Sequence, residues 1–309
     1  MVTPRAPASR LAGWLAAAVA TVSFSVAPPI ATLIIASGLD PTHLLLVRLW
    51  LALGLIVASL AVFAPARLRL DRRGLLIAGS AGMATGVSVL LFFWALTRLD
   101  TAIAAMLFGL QPLTVLALLA LRGERFTYRQ TFRLALGIAG VYFLVGADGR
   151  SDWLGVVMVL IAVTTASFQT VFIQWYLHDR DGRTITAYMV GGMALATTLF
   201  WLFQGAVLGA DLWRPISPGA WLGIGVMALV PTYLARLGLF AAVRHLGSGQ
   251  MALLTPLETM LTVIWSVIFL GERLSPFQLL GGALIVTSAA LAVRRLERAK
   301  VVAGETAGK

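Results

Sequence analysis

The chain has 309 residues, of which 59% are hydrophobic and 12% charged, with a formal net charge of +11 and no cysteine. Soluble domains are about 45–50% apolar and roughly 25% charged, so a water-soluble fold is excluded and lipid is the solvent this composition requires. The absence of cysteine rules out disulfides, thiolate metal ligands and cysteine nucleophiles, and the positive balance reads as the cytoplasmic loops of a membrane protein rather than a nucleic-acid surface.

A helix needs about 20 mostly apolar residues to cross a bilayer. Charged and Gly/Pro-rich breaks divide the chain into ten such runs: 11–36, 42–64, 74–97, 101–121, 131–147, 153–177, 184–206, 219–243, 248–270 and 276–296. The first is longer than a signal-peptide core and shows no clear small-residue cleavage site, so it is expected to remain as a span. With both termini placed in the cytoplasm, the inner segments hold 18 Lys and Arg and the outer segments 4. That is the sorting the positive-inside rule requires. Arg48 and Arg236 are left inside runs.

The chain also repeats itself. Ala95–Leu99 reads ALTRL and Ala242–Leu246 reads AVRHL, an offset of 147. Gly-Glu-Arg occurs at 123–125 and again at 271–273. The halves are therefore 1–150 and 151–309, with five runs each. An odd number of spans per half inverts one half relative to the other, a common plan of secondary transporters, whose site lies near the midplane between the halves. The triplet has a local reading. Glycine suits the left-handed position just past a helix end. Thr127 to Gln130 and Ser275 to Gln278 each fit a capping box for the next helix, and Pro276 suits a first helical position.

Inverted five-run halves, each with Gly-Glu-Arg between its last two runs, resemble the EamA family of the drug/metabolite transporter superfamily over nearly the whole chain. Within it the sequence is most similar to bacterial amino-acid exporters of the YddG type, related to exporters of aromatic amino acids. The resemblance implies an all-α integral membrane protein of ten transmembrane helices around a central cavity. It implies export of amino acids, aromatic or broadly neutral, across the bacterial inner membrane by alternating access. It further implies a monomer in the lipid bilayer with a small-molecule substrate and no cofactor, metal or nucleic acid. Other metabolites or drugs are the alternative cargo, and a passive channel is the alternative of another class. The family often places a proline midway along the fourth span and its counterpart. Pro112 fits, but Thr259 stands at the equivalent position with Pro256 three residues earlier, so the kink of the ninth run is expected to be displaced.

Ionisable groups inside spans are expensive and are functional candidates by default. Glu258 is the one acid well inside a run and corresponds to Gln111 at the 147-residue offset. The two either line the central cavity or fix helix packing. Arg236 lies at a similar depth, which permits an ion pair with Glu258. Arg48 either snorkels to the outer surface or holds a carboxylate with its fork. Polar stripes at helical spacing add Thr21 and Ser25 in the first run, Ser167, Thr170 and Gln169 in the sixth, and Thr255, Thr259 and Thr262 in the ninth. These either glue helices together or line a polar cavity. Phe92, Trp94 and Tyr233 are candidates for an apolar pocket wall. Pro28, Pro112, Pro231 and Pro256 interrupt apolar helices and are expected to kink them, as bending points for gates. The three histidines are scattered, and neither H-E-x-x-H nor G-x-S-x-G occurs, so an enzyme is not expected.

Overall fold

A computed structural model describes residues 7–63, 72–120, 128–146, 152–176, 182–209, 215–246 and 254–307. The first Gly-Glu-Arg triplet and Thr127 lie outside them. Among the described residues all regular structure is helical. Helices α1 (Pro7–Ser25) and α2 (Ala27–Ala36) share the first apolar run, followed by α3 (Pro41–Phe63) and α4 (Arg72–Ala95). The fourth run is divided between α5 (Thr101–Phe108) and α6 (Gln111–Ala120), and α7 (Tyr128–Val141) ends in a π-helical turn at Tyr142–Gly146. The second half begins with α8 (Trp153–Tyr176) and α9 (Gly182–Leu208). Its next run holds α10 (Pro218–Met227), a π-helical segment (Ala228–Leu234) and α11 (Ala235–Leu246), and α12 (Thr255–Leu270) and α13 (Pro276–Ala307) close the chain.

Among the described residues six stretches are long and apolar enough to cross a membrane: Leu11–Ala36, Pro41–Val62, Gly74–Ala95, Thr101–Leu118, Thr184–Leu208 and Pro218–Leu239. Four shorter apolar helices, Thr131–Val145, Trp153–Gln169, Thr255–Leu270 and Pro276–Leu291, fall on the remaining runs. The outer surface is what lipid demands. Val62, Leu76 and Leu222 are each more than 70% exposed, an arrangement that water would penalise.

The most extensive helix pairings all join the first half to the second. Helix α4 packs on α8 and α9, α1 on α11, α7 on α13, and α5 on α12. Small residues make the closest of these possible. A Cβ on Gly82 would strike the backbone of Met189, and one on Gly192 the carbonyl of Gly79, so α4 and α9 meet backbone to backbone.

Most of the described acids sit at helix starts, where free amides need acceptors. Asp40 accepts from the Thr42 amide at 2.8 Å. Asp152 accepts from the Leu154 amide at 2.8 Å and from the Arg98 guanidinium at 2.8 Å. That guanidinium, helped by the amide, holds the exposed Asp152 carboxyl below its ordinary range. The second Gly-Glu-Arg triplet acts at a distance as well as locally. Gly271 adopts the left-handed conformation, with φ of 67°, and ends α12. Ser275 and Gln278 form the reciprocal box: the Ser275 amide donates to Gln278 Oε1 at 2.8 Å and the Gln278 amide to Ser275 Oγ at 3.2 Å. Glu272 reaches into the other half. Its two oxygens accept from the amides of Thr101 and Ala102 at 2.7 and 2.8 Å, which caps α5, whose own N-cap residue Asp100 makes no such bond.

Glu272→Gln replaces one of these acceptors with an NH2 group facing an amide. It is expected to destabilise the fold by about 1.5–3 kcal/mol, read as a lower unfolding midpoint in detergent micelles. An unchanged midpoint would show the fastening to be dispensable.

Candidate functional site

Among the described residues three of the apolar runs are broken, and the start of α12 in a fourth lies beside those breaks. The first bends at Val26, where α2 restarts with Pro28 in its first turn. The fourth breaks after Gly109, with Pro112 the second residue of α6. In the eighth, Pro231 lies inside the π-helical segment. In the ninth, α12 starts at Thr255 with Pro256 second and Glu258 in its first turn. The start of α12 thus falls three residues before the position matching Gln111; the segment before Leu254, on which the expected displaced kink bears, lies outside the described residues. Each proline lacks the N–H that would continue its helix.

These breaks surround a cavity of about 220 Å³. Ala27, Pro28, Phe108, Pro231, Thr232, Glu258, Thr259 and Thr262 line it from these helices, and Arg48, Phe92, Phe93, Met193 and Arg236 complete the wall. Both halves contribute. Its volume lies below the roughly 300–1,000 Å³ of pockets for drug-sized ligands, so in this conformation it fits a small molecule.

Arg48 is turned inward and is 9% exposed, so it does not snorkel to the surface. Its Nε donates to Thr232 Oγ1 at 3.1 Å, and its guanidinium lies over the Phe93 ring, 5.6 Å from the centroid. Those partners come from the π-helical segment and from α4, and no local pattern around Arg48 reports them. Thr85, Phe108, Met193 and Thr232 are among the wall residues the sequence candidates omit. The signal for Thr232 was a hydroxyl directly after Pro231. Arg236 reaches the cavity beside Arg48, close enough for the two cations to repel. Its Nη2 points at Met193 Sδ, 3.9 Å away, and its buried Nε has no hydrogen-bond partner. The ion pair that matching depth permits between Arg236 and Glu258 is not formed. Among the described residues the ion pair is Arg98–Asp152.

Of the other sequence candidates, Phe92 stands on the wall, edge-on to Phe108 at 5.2 Å. The rest are placed elsewhere. The Thr21 hydroxyl donates to Ala17 O at 2.9 Å. Ser25 Oγ donates to Val22 O and accepts from Trp265 Nε1 at 3.0 Å, tying α1 to α12. Ser167 Oγ donates to Val163 O and to Gln111 O at 3.3 Å, tying α8 to α6. Trp94 Nε1 donates to Thr42 Oγ1 at 3.0 Å. These side chains hold helices in place, because a hydroxyl in lipid satisfies itself on the preceding turn or on a neighbouring helix. Gln111, Gln169, Tyr233, Thr255, Pro112 and Pro256 do not line the cavity. The side chain of Thr170 lies outside the described residues. The ninth-run stripe is on the wall through Thr259 and Thr262, beside Glu258.

The model of the EamA-like transporter family matches residues 11–146 and again residues 153–294. The chain belongs to this family. Two curated relatives share about a quarter of their aligned residues with it. An uncharacterized transporter, YcbK, of Bacillus subtilis is 23% identical over 274 residues, covering 85% of this chain and 87% of its own. An uncharacterized transporter of Archaeoglobus fulgidus is 24% identical over 208 residues, covering 67% of this chain and 73% of its own. A crystal structure 20% identical in sequence superposes with a TM-score of 0.60 over 95% of this chain and all of the other, which shows a shared fold. This EamA-like protein is accordingly a multi-pass membrane protein of a transporter family, and its cavity lies where the two matched segments meet.

A buried guanidinium without a counter-charge opposes folding. Arg236→Met, with Met193 beside it, is expected to unfold at the same or a higher temperature, by up to about 4 kcal/mol, in a thermal scan of the purified protein. A loss of more than about 2 kcal/mol would instead show that Arg236 is held by a strong partner.

Proposed function

We propose that this EamA-like protein exports amino acids, aromatic or broadly neutral ones, across the bacterial inner membrane by alternating access. The observation that carries the reading is the cavity between the halves, walled by three broken helices and the start of α12 and holding ionisable side chains that form no ion pair with one another. Broken helices at the membrane midplane mark substrate sites in transporters built from inverted repeats. The four shorter apolar helices complete ten spans in this reading, with 1–150 and 151–309 as oppositely inserted halves. The cross-half pairings fit that symmetry: the third run on the sixth mirrors the eighth on the first, and the fourth and ninth, like the fifth and tenth, pair with each other. Rocking of the halves would then expose the cavity to one side at a time, with the proline breaks as bending points. The carboxyl of Glu258 and the guanidiniums of Arg48 and Arg236 supply complements for the two charges of an amino acid.

Two experiments test this. The chain has no cysteine, so single substitutions Glu124→Cys and Glu272→Cys report directly to an impermeant thiol reagent. They are expected to label from opposite sides of the membrane, and labelling from the same side would refute the inverted halves. Labelled amino acids in proteoliposomes are expected to show saturable flux and counterflow. Non-saturable flux without counterflow would indicate a channel. No flux of any amino acid would remove the substrate assignment.

A further inference from the structure

The cavity wall is unequal in what it offers a ligand. Four threonine hydroxyls face it, yet each donates its proton to the chain's own backbone: Thr85 to Ala81 O at 2.7 Å, Thr232 to Met227 O at 2.9 Å, Thr259 to Thr255 O at 3.3 Å and Thr262 to Glu258 O at 3.0 Å. A hydroxyl has a single proton, so these four only accept. Thr232 accepts from Arg48, which orients that guanidinium. The donors left for a ligand are the two guanidinium forks, and Arg236 carries a buried N–H with no acceptor at all. Against these two cations stands one carboxyl, Glu258, with no ion pair to either. Arginine stays charged in proteins, so the cavity is net positive whether or not Glu258 is ionised. The remaining wall is hydrocarbon, with Phe92 and Phe108 set edge to face.

We infer that the cavity selects organic anions: a carboxylate held between Arg48 and Arg236, with an apolar body against Phe92 and Phe108, and no ammonium group required. This rests on the cavity being the site of the transported solute. Within that reading it says which part of an amino acid is recognised. A zwitterion brings no net charge and leaves one guanidinium uncompensated. A monocarboxylate of the same shape, lacking the amine, brings the charge the site lacks. Small 2-oxo and hydroxy acids therefore qualify as cargo alongside amino acids, and cationic amines do not.

Titration calorimetry on the full chain in detergent micelles tests this with three compounds on one phenyl body and a simple anion. The compounds are 3-phenylpropionate (carboxylate alone), phenylalanine (both groups) and phenethylamine (amine alone), and chloride is the fourth arm. The expected order is 3-phenylpropionate at least as tight as phenylalanine, with no binding of phenethylamine. Arg48→Gln and Arg236→Gln should each weaken 3-phenylpropionate about tenfold or more. Arg48→Lys keeps the charge while losing the fork, so it serves if the Gln variant does not fold, and it should weaken the same compound. Binding of phenethylamine, phenylalanine tenfold tighter than 3-phenylpropionate, indifference to the arginine substitutions, or equal competition by chloride would each overturn the inference. If no compound binds while labelled amino acid still crosses proteoliposomes, the anion site fails and the transport reading stands. If neither is seen, both fail.

Discussion

The constraint on which this structure turns is that charge inside a lipid-embedded protein has nowhere to go. Water cannot solvate it, and each polar group must find a partner within the protein or line a cavity. The protein obeys this nearly everywhere. Asp40, Asp152 and Glu272 are tied to helix amides, and hydroxyls are folded back on carbonyls one turn away. Three ionisable groups lie together. Arg48, Arg236 and Glu258 share one cavity wall, and none is neutralised by another. Ionisable groups inside a membrane protein are expensive to keep, and holding three on one wall is the usual signature of function.

The broken helices belong to the same logic. A continuous helix uses all its backbone groups internally and presents only side chains. Interrupting it at Val26, after Gly109 and through Ala228–Leu234 gives the cavity local pliancy without exposing backbone polarity to lipid. The π-helical segment shows how this is arranged in detail. Its wider ladder lets the Thr232 hydroxyl donate to Met227 five residues back, so the same hydroxyl is left as an acceptor for Arg48. A regular helix at that point would have turned the threonine onto residue 228. π-bulges recur at functional sites for reasons of this kind.

Much of the architecture was legible in the sequence because lipid enforces simple patterns. Long apolar runs, basic loops and a repeated Gly-Glu-Arg all announce themselves without any contact being known. The second triplet behaved locally as glycine chemistry and the Ser-x-x-Gln spacing require. The site was legible only in part. Glu258, Arg236, Phe92, Pro28 and Pro231 stand on the cavity wall as periodicity and the cost of buried charge indicate. The stripes of Thr21, Ser25 and Ser167 look the same in sequence as that of Thr259 and Thr262, yet Ser25 and Ser167 tie helices together and Thr21 bonds its own preceding turn. A stripe records which residues share a face, and only the neighbouring helix decides whether that face meets a wall or a void. Arg48 was ambiguous for a similar reason: its inward turn depends on Thr232 and Phe93, which lie on other helices.

The grip of Glu272 on α5 has a mechanical corollary. Both carboxylate oxygens are engaged with consecutive amides, and Thr101 is further tethered through its hydroxyl to Thr32 at 2.6 Å. The tip of the α12–α13 turn, the head of α5 and α2 are therefore laced together on that side of the protein. To part any one of them from the other two, hydrogen bonds must be given up, and the proline-interrupted segments have fewer of their own to lose.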